Sequence, residues 1–204
     1  MTPDAATYQN TVVFGGTRVA FRAIKPGDAA LLLELFRSHS KQTILFRYFS
    51  SLRELSADQV ARFVNLDYQR DMAIVGLIPC GERQRMICVG RYYLNPAINE
   101  AEFAITVHDD FQRRGMGTFL LRELVRVARA HHIAGFTADV LADNHGMINL
   151  VRHLTKKSRL PLTSDLEAGV YHLSFPLRPE RGPANGRQRT LENLSRGSSR
   201  LHRR

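Results

Sequence analysis

Residues 102–118 read Glu102-Phe103-Ala104-Ile105-Thr106-Val107-His108-Asp109-Asp110-Phe111-Gln112-Arg113-Arg114-Gly115-Met116-Gly117-Thr118. The first six alternate and are rich in β-branched and aromatic side chains, the pattern of a strand. From Met116 onward, Phe119, Leu120, Leu124, Val127 and Ala128 fall on one stripe at helical spacing, which predicts a helix to His132. A glycine-bearing turn joins strand to helix. Amides in the first helical turn have no intrahelical acceptor, and the helix dipole adds partial positive charge there. Glycines let an anion approach that backbone closely. The turn therefore reads as a phosphate site, with a merely tight turn as the plainer alternative. It is not a Walker loop, because no Gly-Lys-Ser/Thr follows. Nor is it a full dinucleotide fingerprint, since Leu120 holds the third glycine position.

Outward from this core, Phe136 to Leu141 is predicted as a short strand and Asn144 opens a helix to Thr155. On the other side, Arg18 to Ile24 is the first regular strand. Pro26-Gly27-Asp28 ends it, and Asp28 caps a helix to about Ser38 with Leu31, Leu32, Leu35 and Phe36 turned inward. Lys41 to Leu55 is a mixed aromatic connection. Ser56-Ala57-Asp58-Gln59 is a capping box for a helix to about Leu66. Met72 to Pro79 and Arg85 to Leu94 form a hairpin with Gly81 in its turn. Pro161 to Tyr171 reads as irregular and Gly169 to Leu177 as a last strand. The chain so divides into a loose lead-in over 1–16, with a short strand at Thr11 to Phe14, one domain over 17–177 and a basic disordered tail over 178–204.

A chain of 204 residues supports one ordinary domain with a real core, and 44% apolar content is that of a soluble globular protein. No run approaches a transmembrane length, and the N-terminus lacks the basic-then-apolar order of a secretory signal. Cys80 and Cys88 are too few for a disulfide framework and read as reduced thiols of a cytoplasmic protein. The net charge is +10, but the segment from Pro176 holds eight Arg against Glu180 and Glu192, so most of the basicity is a tail. That distribution argues against a nucleic-acid partner. His131, His132, His145 and His153 resemble a metal cluster only in composition. Adjacent His131 and His132 cannot share a helix face, so no metal is assigned.

Gln112-Arg113-Arg114-Gly115-Met116-Gly117 matches the Q/R-x-x-G-x-G/A signature of the GNAT acyltransferase superfamily, and the order of strand, turn, long helix, short strand and Asn-opened helix fits as well. The resemblance runs from about Thr17 to about Leu177. Within the superfamily the chain looks most like the acetyltransferase domain of bacterial protein-lysine acetyltransferases. That likeness rests on Phe46-Arg47-Tyr48-Phe49-Ser50, Leu52-Arg53-Glu54-Leu55, Asn65-Leu66-Asp67-Tyr68, Ala101-Glu102-Phe103-Ala104 and Val140-Leu141-Ala142-Asp143-Asn144. The resemblance implies an α/β GNAT fold: a mixed, mostly antiparallel sheet with helices on both faces. It implies acetyl-CoA as co-substrate, with its pyrophosphate on the turn from Gln112 through Arg113, Arg114, Gly115, Met116 and Gly117 to Thr118. The pantetheine arm would pair with Ile105, Thr106 and Val107, and Asn144 would contact it while capping its own helix. The connection from Lys41 to Leu55 would border the acceptor groove, with packing of Phe46, Tyr48 and Phe49 onto the core as the plainer reading.

The acceptor amine poses the chemical problem. A lysine with a pKa of roughly 10.4 is almost wholly protonated at pH 7, so a general base is needed. Glu102 is the candidate that the resemblance implies. Strand parity puts it on the face opposite Phe103, Ile105 and Val107, with Glu100 as its nearest competitor and an ordinary surface carboxylate as the plainer reading. The position where many relatives carry a Tyr acid is Val151, so no acid carries over. Thr155-Lys156 stands where Gly-Phe often ends that helix. The expected activity is acetyl transfer to a primary amine, foremost a protein lysine side chain. The alternatives are a small amine such as a polyamine or drug, or a non-catalytic acyl-CoA sensor.

Overall fold

The computed structural model describes residues 5–178; the basic tail expected over 178–204 lies outside the described residues beyond Arg178. Eight strands form one sheet in the order β1-β2-β3-β4-β5-β6-β8-β7. They are β1 (Gln9–Phe14), β2 (Thr17–Ala23), β3 (Met72–Cys80), β4 (Arg83–Asn95), β5 (Glu100–Val107), β6 (Gly135–Leu141), β7 (Thr163–Glu167) and β8 (Val170–Pro176). All neighbours are antiparallel except β5 and β6, which are parallel. The helices are α1 (Ala29–Arg37), α2 (Lys41–Tyr48), α3 (Ala57–Val64), α4 (Met116–Ala130) and α5 (His145–Ser158). This is the mixed, mostly antiparallel sheet with helices on both faces that the resemblance implies.

Two apolar layers hold the sheet. On one face α4 and α5 bury Leu120, Leu124, Ile148 and Val151 against Phe103, Phe136, Ala138 and Leu173. The approach of α4 is close because β4 offers Gly90: a Cβ there would sit 3.2 Å from the Cβ of Leu120. On the other face α1 and α3 bury Leu32, Leu35 and Val64 against Ala73, Val75 and Val89. The Ser56–Gln59 capping box forms as expected, with Ser56 Oγ accepting from Gln59 N and Gln59 Oε1 from Ser56 N.

Three segments differ from expectation. Residues 5–14, expected as part of a loose lead-in, fold as a helical turn and β1, with Ala5 and Tyr8 buried in the core. The connection after α1 contains α2, an eight-residue helix with no buried residue, capped by Ser40. The segment expected to be irregular forms β7, whose five residues are all exposed and which closes a hairpin with β8 through Ala168 and Gly169, both at positive φ. The predicted hairpin is present with longer arms, its turn shortened to Gly81-Glu82 with Gly81 at φ 59°.

Candidate active site

The site is made where the sheet opens. β5 and β6 pair only at Glu100–Gly135, Ala101–Phe136 and Glu102–Thr137, after which they part. His108 N–H donates to Ile87 O of β4. By alternation Thr106 and Ala104 turn their backbone groups toward β4, while Ile105 and Val107 turn theirs toward the opening. Of the three residues expected along the pantetheine, Ile105 and Val107 thus have the outward backbone edge. Thr106 puts its buried side chain on the α1–α3 face.

At the far end of β5 the chain turns through a 3-10 turn (Asp109–Phe111) into α4. Arg113 at φ 58° and Gly115 at φ 90° both take left-handed backbone. Turns of this kind can aim successive N–H groups to one side. No side chain caps α4. Phe119 N–H finds Gly115 O at 3.0 Å, and the three amides before it, Met116 to Thr118, have no helical acceptor. An uncapped helix start with a glycine in its first turn is what a phosphate needs.

A cleft of about 620 Å³ runs from this helix start along the β5 edge to Glu102. Of the residues expected at the site, Glu102, Ile105, Thr106, Val107, Gln112, Arg113, Gly115, Met116, Gly117, Thr118 and Asn144 line it. Arg114 does not. Its guanidinium turns back to donate to Asp110 O at 2.7 Å and to stack on Phe111, 5.2 Å from the ring centroid. Gln112 lines the cleft but its side-chain amide is engaged by protein, donating to Val107 O at 3.1 Å and Thr43 Oγ1 at 3.3 Å. Asn144 caps α5, its Oδ1 accepting from Met147 N at 3.1 Å. Val151 is fully buried in the core.

One wall comes from α2 and its C-cap, where Thr43, Phe46, Arg47 and Phe49 line the cleft; the resemblance puts this segment at the acceptor groove, while the helix itself, with Thr43 and Arg47, was missed in the sequence. Ser40 as an N-cap, with Ile44 and Tyr48 four apart, was the signal available for that helix. Asp109 fastens α2 to the turn, accepting from Ser40 N at 3.0 Å, Ser40 Oγ at 2.8 Å and Thr43 Oγ1 at 2.8 Å. Burial would raise its carboxyl, but those hydrogen bonds and the neighbouring His39 hold it below the usual range. Arg47 is half-buried beside the Tyr48 ring, 5.1 Å from its centroid, and burial, then Arg91, lowers its pKa. His145 and His153 line the cleft, and among the described residues no group of three or more His, Cys, Asp or Glu is arranged to hold a metal.

His39 sits behind this network, 4% exposed, with Nδ1 3.7 Å from Asp109 Oδ2 and without a hydrogen bond. Burial pushes its pKa down to about 4, against the pull of Asp109. The folded protein therefore keeps His39 neutral while an unfolded chain takes up its proton near pH 6.5. Between those values the unfolded state binds more protons, so stability falls as the pH falls from about 6.5 to about 4. The loss is on the order of 3 kcal/mol. Melting temperature should drop by roughly 6–12 °C across that window. His39→Gln should flatten the slope; an equal slope in the variant would remove His39 as the cause.

The acetyltransferase (GNAT) domain family matches residues 18–155, and the chain belongs to it: it is an acyl-CoA-dependent N-acetyltransferase. It is 27% identical over 135 residues to Acetyltransferase PA5475 of Pseudomonas aeruginosa, covering 66% of this chain and 73% of that protein. It is 31% identical over 134 residues to Acetyltransferase Pat of Mycolicibacterium smegmatis, covering 65% of this chain but only 39% of that protein's length. The crystal structure of the GNAT domain of S. lividans PAT superposes with a TM-score of 0.71 at 29% identity, over 82% of this chain and 96% of that domain. Among the described residues no helix is long and apolar enough to cross a membrane.

Proposed function

We propose that the protein transfers the acetyl group of acetyl-CoA to a lysine side chain of another protein, with Glu102 as general base. The observation that carries this is the place of Glu102. It is exposed, lines the cleft, and stands where the pairing of β5 with β6 ends. From Val107 to Glu102 the open edge is about 17 Å long at the usual strand rise. The pyrophosphate lies against the amides of Met116, Gly117 and Thr118, with Gln112, Arg113 and Arg114 shaping the turn. The pantetheine amides pair with the outward groups of Ile105 and Val107 beside Thr106, and the Asn144 side-chain NH₂ meets the arm from the other wall. The thioester then arrives at the Glu102 end.

There Glu102 takes a proton from the lysine ammonium, directly or through water. The freed amine attacks the thioester carbonyl and a C–N bond forms; the tetrahedral intermediate breaks its C–S bond to expel the coenzyme A thiolate, and the second proton of the attacking nitrogen passes through water to that thiolate, leaving the neutral amide. On this reading the protein works in a reducing, cytoplasmic setting, the two cysteines of its sequence being too few for a disulfide framework. The protein acceptor is what the resemblance to bacterial protein-lysine acetyltransferases implies, carried by the segments around Phe46, Leu52, Asn65, Ala101 and Val140.

The test is to give purified protein and acetyl-CoA to a cell extract depleted of small amines and to search its proteins for new acetyl-lysine by mass spectrometry. Defined lysines acetylated in folded proteins support the reading. Turnover confined to polyamines or drug amines would replace it with a small-molecule enzyme, and binding without any turnover with an acyl-CoA sensor.

A further inference from the structure

The two faces of the sheet are unequally covered. α4 and α5 lie on one face across β4, β5, β6 and β8. α1, α2 and α3 lie on the other, over β2 to β5, where Arg91 of β4 packs under the Phe63 ring of α3. Beyond Glu102 that second face continues over β6, β8 and β7 with no helix above it among the described residues.

Register fixes what the bare face presents. Glu102 neighbours Thr137, which pairs with Ser174; Asp139 pairs with His172, and His172 pairs with Asp165; Val170 pairs with Glu167. Cross-strand partners share a face, so Glu102, Asp139, Asp165 and Glu167 point the same way, with Glu100 beside them by parity. Asp139, Asp165, Glu167 and His172 are exposed. His172 is tied to Asp139, Nδ1 to Oδ1 at 2.7 Å. β6, β7 and β8 contain no Lys or Arg, although the chain carries +10 overall. Asp139 also lines the cleft, so the face is continuous with the site.

We propose that this bare face is where the acceptor protein docks, and that it takes a segment in which Lys or Arg residues flank the acetylated lysine. The inference rests on the protein-lysine reading above. A lysine reaching Glu102 from a segment laid across β6, β8 and β7 sends its neighbours over Asp139 and then Asp165 and Glu167. Three strand spacings make about 14 Å, the length of roughly four extended residues. The flanking charges that matter are therefore those two to four positions from the lysine. Exposed ion pairs are individually weak and screened by salt, so they select between acceptors and do not hold a tight complex.

The test uses the full chain and single-lysine peptides of one length whose positions two to four from the lysine carry Arg, Gln or Glu. At low salt kcat/KM for the Arg peptide should exceed that for the Glu peptide by roughly tenfold or more, and the gap should narrow as salt rises. In the Asp139→Asn, Asp165→Asn, Glu167→Gln triple variant the ratio should collapse to about two or less. The ratio is read within each protein, so a general loss of activity cancels, and an unchanged KM for acetyl-CoA verifies the fold. Equal turnover of all three peptides by the unaltered protein overturns the docking face and leaves the lysine reading standing. So does a preference that survives in the triple variant. A truncation after Arg178 that speeds every peptide and abolishes the preference would assign the face to the chain's own arginines, and overturn an external partner. No turnover of any peptide would fell the protein-lysine reading and this inference with it.

Discussion

Glu102→Gln should lower turnover at pH 7 by roughly 10²- to 10⁴-fold, the usual contribution of a positioned general base. The amide keeps the shape of the carboxylate and loses only proton acceptance. Structural side effects should be modest: Glu102 is exposed, and its charge acts on the half-buried Arg47, whose guanidinium keeps the nearby Tyr48 ring as a partner in the variant. Acetyl-CoA affinity should barely move, because the proposed cofactor contacts are backbone groups of β5 and α4 and the Asn144 side chain, not Glu102. Raising the pH should restore part of the rate, since solution then deprotonates the lysine. Glu100 supplies the control. It shares the face by parity but does not line the cleft, and it is packed over Gly135, where a Cβ would lie 3.1 Å from its Oε1. Glu100→Gln should therefore cost far less. Near-normal turnover by the Glu102→Gln protein at pH 7 would remove Glu102 as the base and move that role to another carboxylate or to water.

What the sequence disclosed follows from which residues carry periodic burial. β5, the turn and α4 were legible because Phe103, Ile105, Leu120, Leu124 and Ala128 are buried at strand and helix spacing. The hairpin of β3 and β4 was legible for the same reason. α2 was not, because none of its residues is fully buried: its amphipathic signal is faint, and Asp109, 66 residues from Thr43, holds it in place. β7 is an edge strand exposed on both faces, so Thr163-Ser164-Asp165-Leu166-Glu167 shows no alternation to read. At the site the same division holds. The glycine turn is a local feature and was found. The segment around Phe46 was placed at the groove by resemblance, but the part Thr43 and Arg47 take in that wall, and the acidic face formed by Asp139, Asp165 and Glu167, are products of register and packing between distant segments. The turn of Arg114 away from the cleft depends on Phe111 and on the carbonyl of Asp110, which motif spacing does not encode.

Gly117→Asp should weaken coenzyme A binding by roughly 10²-fold or more while leaving the fold as stable or slightly more so. The opposite signs make the test clean. Gly117 is the second residue of α4, with ordinary backbone, and a Cβ there would meet only Leu150 Cδ2 at 3.5 Å, an ordinary contact. An acidic side chain in the first turn of a helix is favourable by about 0.3–1 kcal/mol, and replacing glycine inside a helix gains more. The same carboxylate occupies the space proposed for the pyrophosphate and repels its charge. Losing one or two charge-assisted hydrogen bonds at about 1.5–3 kcal/mol each accounts for the expected fall in affinity. Gly115→Asp is a poorer probe, since φ at Gly115 is 90° and any side chain there strains the backbone. Gly117→Ala separates bulk from charge and should fall between the two proteins in affinity. Calorimetric titration of coenzyme A, with thermal melts of each variant, reads both quantities. A folded Gly117→Asp protein that binds coenzyme A as tightly as the unaltered chain would place the pyrophosphate away from the start of α4.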